Sequence, residues 1–231
     1  MSVKSIYYNI ANKSIDWLPM DTEQLYKTNL IKNYNKLKRY GWIDKQFTYK
    51  FNSHGFRCEE FTEDPTVITL GCSFTVGIGL PVSTIWPELV AKKLNLKCAN
   101  LGQGGHGPDM AFNLCKFYID IVKPKIVVYM ESPPYRLSFL DHSLNINLYK
   151  ANDKNYSDFY GKWISNDINN SLHYEKNLLA IEMMCKKRNI KFINTKYDAL
   201  TSSHDSLARD LEHCGIENHA KFATELLEKI G

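Results

Sequence analysis

The chain has 231 residues, 44% of them hydrophobic and 23% charged, with a formal net charge of +4. A chain of this length buries roughly 70% of its unfolded surface, and its composition excludes a largely disordered chain, a collagen and a simple coiled coil. The positive surplus is confined to residues 1–50, where nine Lys/Arg face four Asp/Glu, while the remaining 20 and 21 nearly cancel. Most of it lies in one lysine-rich stretch, Lys27 to Arg39, which reads as the solvated face of a helix and not as a nucleic-acid-binding stripe.

The opening residues, MSVKSIYYNIANKSIDW, contain no apolar core of signal-peptide length, so export by that route is not expected. Residues 1–60 read as an N-terminal extension packed on a core domain spanning 61–231. Asp21-Thr-Glu-Gln24 predicts a helix start, with Asp21 capping and Gln24 reaching back. Tyr26, Leu30, Tyr34 and Leu37 then recur at helical spacing until Gly41, and residues 46–52 alternate like a strand. Pro65 to Pro87 is the longest uncharged run, but its three glycines and three prolines count against a membrane helix.

From residue 65 the pattern becomes regular. Val67–Leu70 reads as a buried strand, Trp86–Leu94 as a helix with Pro87 in its first turn, and Lys97–Leu101 as a second strand. Asp109–Val122 is a predicted helix, Lys125–Met130 the clearest strand, Glu175–Lys187 a helix, Ile190–Asn194 a fourth strand and Glu217–Ile230 the closing helix. Residues 137–170, rich in Asn, Asp, Ser and Tyr, read as an irregular insertion or lid. The alternation predicts a three-layer α/β/α sandwich around a parallel sheet of four to five strands. Ligands in such sheets bind at the carboxyl ends of the strands.

The chemistry-bearing residues fall at those ends. Gly71-Cys-Ser73-Phe-Thr-Val-Gly77 follows the first strand, where a serine hydroxyl is exposed above the sheet beside its own N–H, as a nucleophile requires. Asp210-Leu-Glu-His213 follows the fourth strand. Its Asp can accept the imidazole Nδ1–H and leave Nε2 to take a serine proton. The other histidines (His54, His142, His173, His219) show no metal-ligand spacing, and no catalytic metal or cofactor is expected. His204 with Asp205 is a second candidate base. The six cysteines, 58, 72, 98, 115, 185 and 214, lack CxxC spacing and read as reduced thiols in a cytoplasmic protein.

Residues 65–230 resemble the SGNH (GDSL-type) hydrolases. Gly71-x-Ser73 with Gly77, then Trp86-Pro87, resembles the first block. Asn100-Leu-Gly-Gln-Gly-Gly105 resembles the second, with Gly105, or else Gly102, as an oxyanion donor beside the Ser73 N–H. Asp210-x-x-His213 with Ala223 resembles the fifth block, and Asn52-Ser-His-Gly-Phe-Arg57 a segment found ahead of the nucleophile in bacterial members. The resemblance implies strand order 2-1-3-4-5 and a serine esterase cleaving carboxylic (acyl or acetyl) esters of a small molecule or a glycan. Ser73 is the implied nucleophile, His213 the base and Asp210 its orienting partner.

Two positions depart from that pattern. Cys72 replaces the Asp before the serine, which makes it a neighbour of the site and an alternative nucleophile. The third block's Asn, a side-chain oxyanion donor, is missing from Glu131-Ser-Pro-Pro-Tyr-Arg136, where Pro134 falls near its place. Arg136, Ser132 and Asn52 are candidate substitutes, and Arg136 equally suits a substrate carboxylate or phosphate, or a salt bridge to Glu131 or Asp141. His106, beside Gly105, is a candidate pocket residue. Tyr135, Tyr149, Tyr156, Phe159, Tyr160 and Trp163 can stack a sugar or simply anchor the insertion. The alternatives on the same fold are a non-catalytic binding domain or an acyltransferase. A further alternative is a flavodoxin-like phosphate loop at Ser73–Gly77, although no GxxxxGK[ST] is present.

Overall fold

A computed structural model describes residues 4–140, 146–148, 157–201 and 205–231. In chain order the elements are β1 (Ser14–Ile15), α1 (Glu23–Lys32), α2 (Tyr34–Arg39), β2 (Tyr49–Lys50), β3 (Thr66–Leu70), α3 (Ser73–Val76), α4 (Trp86–Lys93), β4 (Lys97–Asn100) and α5 (Pro108–Val122). They continue with β5 (Ile126–Met130), β6 (Ser138–Leu140), β7 (Ile146–Leu148), α6 (Ser157–Ile164), α7 (Asp167–Lys187), β8 (Lys191–Thr195), α8 (Asp198–Thr201) and α9 (Ile216–Ile230).

Four of the strands form one parallel sheet in the order β4-β3-β5-β8, the first four positions of the expected 2-1-3-4-5 order. Side chains alternate between its faces. Ile68, Leu70, Val127 and Tyr129 pack with α5 and α7 on one side, and Val67, Val128 and Met130 with α4 and α9 on the other. The uncharged runs of β3 and β5 make them the buried centre of the sandwich. On the second face the Trp86 and Phe222 rings meet edge-on at 5.4 Å. Among the described residues no helix is long and apolar enough to cross a membrane.

The N-terminal sixty residues depart most from expectation. Asp21 is not the helix cap: the Thr22 side chain accepts from Leu25 N–H at 3.1 Å. Asp21 instead forms a buried ion pair with Arg209, Nη2 to Oδ2 at 2.6 Å, both side chains 1% exposed. Arg209 Nε adds a bond of 3.1 Å to Oδ1, and its Nη2 also donates to Asp16 O at 2.7 Å. The Tyr49 hydroxyl donates to the same carboxylate, and the Trp17 and Phe47 rings face the guanidinium, each with its centroid 4.0 Å away. The lysine-rich stretch is two helices, broken at Asn33, whose side chain turns back to Asn29 Oδ1 at 2.8 Å. The strand expected over 46–52 shrinks to β2, paired antiparallel with β1.

The expected irregular insertion is largely ordered where described. It contains the antiparallel strands β6 and β7, α6, and the first turn of α7, which starts at Asp167 and not at Glu175. Asn166 caps α7 by accepting from Asn169 N–H at 2.9 Å.

Two outcomes follow from these contacts. Removing the carboxylate in Asp21→Ala strands a buried guanidinium, and chemical denaturation should show a loss of about 3–5 kcal/mol. On the α4/α9 face, His219 is buried and its Nδ1 accepts Trp86 N–H at 3.0 Å. Burial, together with the charges of His213 and Arg57, pushes its ring from 6.5 down to about 3. The unfolded chain therefore takes this proton as pH falls below 6.5, while the folded chain takes it only near 3, so acid favours unfolding across that window. His219→Asn keeps an acceptor and removes the titration. Its melting temperature should fall less steeply below pH 6.5 than the wild type's.

Candidate active site

The site lies where the sheet's strand order turns back on itself, with β4 on one side of β3 and β5 on the other. Beyond β3 the chain crosses Gly71 and Cys72 to Ser73, the first residue of α3. Gly71 has φ +152°, and a Cβ there would stand 2.2 Å from Thr75 Oγ1 and 3.0 Å from Met130 O. Only glycine lets the strand turn this tightly into the serine.

Past β4, Asn100 donates to Thr75 O at 2.8 Å and accepts Gly102 N–H at 3.0 Å, locking this loop against α3. Gly105 then reaches the site. Past β5 comes Arg136, and past β8 the loop carrying Asp210 and His213.

These four strand ends converge on one cavity of about 470 Å³, lined by Ser73, Gly105, Arg136 and His213 together with Gly104 and Glu212. That size suits a small ligand. Its apolar wall is Ile6, Tyr7, Pro19, Met20, Phe74 and Ile78. Asp210 and His213 are both buried. Asp210 Oδ2 meets His213 Nδ1 at 2.5 Å, and its Oδ1 accepts the backbone N–H groups of Glu212 and His213, each at 3.0 Å. The carboxylate thus fixes both the loop and the ring. With the Nδ1 proton pointing to Asp210, the ring lone pair sits on Nε2. The Phe74 ring stands edge-on to the imidazole at 5.3 Å.

The neighbouring loops are held by long-range bonds. Arg57, buried, donates to the carbonyls of Val76, Gly77 and Leu80 at 3.0, 2.5 and 2.5 Å. Gly79 N–H donates to Tyr49 Oη at 2.7 Å, and Arg209 N–H to Gly79 O at 3.0 Å. Trp42 Nε1 donates to Leu207 O at 2.7 Å and Asn29 Nδ2 to Asp210 O at 3.3 Å.

The remaining candidates divide clearly. Ser73 and Gly105 lie on the cavity, and among the described residues neither backbone N–H meets an acceptor. Gly102 does not line it, and its N–H is already used. Cys72 is buried off the cavity wall. His106 is buried without lining the cavity, and burial with the nearby Arg136 charge lowers it to about 4. Of the three substitutes for the missing Asn, Arg136 alone lines the cavity. Asn52 spends its side chain on Phe56 N–H and Glu59 O, at 2.9 and 3.2 Å. Ser132 is buried beside the Tyr129 hydroxyl, and Pro134 lies off the wall.

Trp163 Nε1 donates to Tyr135 O at 2.9 Å, so this aromatic ties α6 to the loop after β5. His142, Tyr149, Tyr156, His204 and Asp141 lie outside the described residues, as do the side chains of Phe159 and Tyr160. Sequence reasoning missed Tyr7. Tyr7 lines the cavity, and its hydroxyl oxygen accepts the N–H of Gly104, nearly a hundred residues away in the chain, at 3.3 Å. No local pattern marks it.

No family model matches the sequence, and no curated protein is detectably similar to it. Several solved structures are distantly similar. TesA is 12% identical over 71% of this chain and 97% of its own, with a TM-score of 0.42. The psychrotrophic esterase EstA from Pseudoalteromonas sp. is 12% identical over 72% of this chain and 97% of its own, TM-score 0.41. The acetyl xylan esterase Est2A from Butyrivibrio proteoclasticus is 12% identical over 80% of this chain and 67% of its own, TM-score 0.43. Likenesses this distant carry no functional argument.

Proposed function

We propose that the protein is a serine ester hydrolase working through an acyl-enzyme. The observation that carries the reading is the buried Asp210–His213 pair opening onto the same cavity as Ser73. His213 Nε2 takes the Ser73 Oγ proton as Oγ adds to the ester carbonyl. The tetrahedral intermediate collapses, the Ser73 acyl ester remains, and His213 returns the proton to the leaving alcohol. Water then adds to the acyl-enzyme with the same base, and the acid leaves. Asp210 keeps the imidazolium oriented and charge-compensated throughout.

The N–H groups of Ser73 and Gly105 are the two backbone donors for the oxyanion. Tyr7 supplies the third, in place of the missing Asn. Its oxygen already accepts Gly104 N–H, and its own proton has no acceptor among the described residues. Burial raises it to about 12, so the phenol is a neutral donor at any working pH. The apolar wall suits a short acyl chain, and the alcohol is a small molecule or a glycan hydroxyl. An acyltransferase would share every step up to the acyl-enzyme and differ only in which hydroxyl takes the acyl group.

Hydrolysis of p-nitrophenyl acetate and longer p-nitrophenyl esters tests this. Ser73→Ala and His213→Ala should each lower kcat by about 10³-fold or more. Activity surviving in Ser73→Ala would overturn the assigned nucleophile. Tyr7→Phe should lower kcat roughly 10²-fold with little change in KM, whereas an unchanged kcat removes Tyr7 from the oxyanion site.

A further inference from the structure

Arg136 brings a permanent positive charge to the wall of an otherwise mostly apolar cavity. Its Nη1 is shut off from solvent and has no hydrogen-bond partner among the described residues. No carboxylate among the described residues pairs with it. Glu131, five positions back, is engaged by Asn194 Nδ2 at 2.9 Å. Glu212 lies on the same cavity without forming an ion pair to it, and none of the ion pairs among the described residues includes Arg136. Both oxygens of Asp109, at the start of α5, are taken by the N–H groups of Met110 and Ser138, at 2.8 and 2.5 Å.

The arginine is also held in place. Its backbone packs against Gly107, where a Cβ would stand 2.1 Å from Arg136 O, and its N–H donates to Pro133 O at 3.2 Å. Arg57 Nε and Arg209 Nη1 are also buried without an acceptor, but their guanidinium groups are engaged through other nitrogens. Arg136 lines the cavity, and among the described residues its guanidinium has neither a carboxylate nor a carbonyl partner, which leaves it open to an anion.

We infer that Arg136 receives a carboxylate carried by the substrate, so that the preferred ester is a half-ester of a short dicarboxylic acid or a similar monoanionic acyl ester. The charge on the page favours a monoanion. Among the described residues one fixed cation lines the cavity, burial keeps His106 beside it neutral, and Glu212 opposes a second negative charge. The arginine fork also matches a carboxylate in geometry.

This inference rests on the ester-hydrolase reading, and two experiments separate the two. The first compares mono-p-nitrophenyl succinate with p-nitrophenyl butyrate, esters of similar length that differ in acyl charge. Wild type should favour the succinate in kcat/KM by about tenfold or more, mainly through KM. Arg136→Ala should abolish that preference, with kcat/KM for the succinate falling about tenfold more than for the butyrate. An equal fall for both esters would overturn the inference and make Arg136 an oxyanion donor. An unchanged ratio, or a wild-type preference for butyrate, would also overturn it.

The second experiment needs no turnover. Monomethyl succinate is titrated calorimetrically into Ser73→Ala and into Ser73→Ala/Arg136→Ala. Binding that weakens tenfold or more in the double variant supports the carboxylate site even if no ester is cleaved. Equal binding, or none in either variant, overturns it.

Discussion

The Asp21–Arg209 ion pair is the contact on which the arrangement of the site depends. Two charges withdrawn from water are tolerated when they are paired and hydrogen-bonded. Here the carboxylate receives Arg209 Nε and Nη2 and the Tyr49 hydroxyl, and the guanidinium also reaches Asp16 O beneath two aromatic faces. The pair joins residues 188 apart in sequence. Arg209 immediately precedes Asp210, so the anchor is one peptide from the carboxylate that orients His213. Its N–H also binds Gly79 O, in the loop that leaves Ser73 and α3. The two halves of the Ser73–His213 arrangement are thereby referenced to one buried point in the N-terminal segment.

This divides the work between sheet and extension. The parallel sheet delivers Ser73, Gly105, Arg136 and the Asp210–His213 loop to one edge, because every strand of a parallel sheet ends on the same side. That placement is coarse, and reacting groups need tolerances well below a side-chain length. The fine positions come from bonds to loop backbone: Arg57 on three carbonyls, Trp42 on Leu207, Tyr49 on Gly79. All three of these side chains precede residue 60. The extension also supplies Ile6, Tyr7, Pro19 and Met20 to the cavity wall, and so shapes the space in which a ligand sits.

Legibility in the sequence follows the same division. β3 and β5 were readable because their burial on both faces demands unbroken β-branched and apolar runs. Ser73 stands out because it lies three residues past β3, and Gly105 because a glycine-rich run follows β4. Asp210 and His213 lie well past β8, beyond α8, and are marked by their i, i+3 carboxylate–imidazole spacing and not by a strand end. The start of α7 was not readable. Ile168 and Leu172 are exposed and the residues buried by the first two turns are the polar Asn170 and His173, so no apolar stripe marks them, and their Asn and Asp content resembles a loop until Asn166 is seen to cap the helix. Asp21 looked like a cap because Asp is a good one. The adjacent Thr22 serves equally well, and nothing local announces a partner at position 209. Tyr7 is hidden for the same reason, since its role depends on a loop that follows the second core strand.

The cavity holds two kinds of hydrogen-bond donor, and their physics suits different tasks in the proposed reaction. A guanidinium is charged before, during and after the chemical step, so it attracts an anion equally in the ground state and the transition state. Such uniform attraction lowers KM without raising kcat. Backbone N–H groups and a neutral phenol interact weakly with an ester carbonyl and strongly with the oxyanion it becomes, so their contribution grows along the reaction coordinate. Replacing the side-chain amide of a third-block Asn by Arg136 would exchange a donor of the second kind for one of the first. Tyr7, neutral and anchored beside Gly104, retains the differential character that the amide would have supplied. In the proposed reaction the charge at Arg136 is then left to act on the choice of substrate.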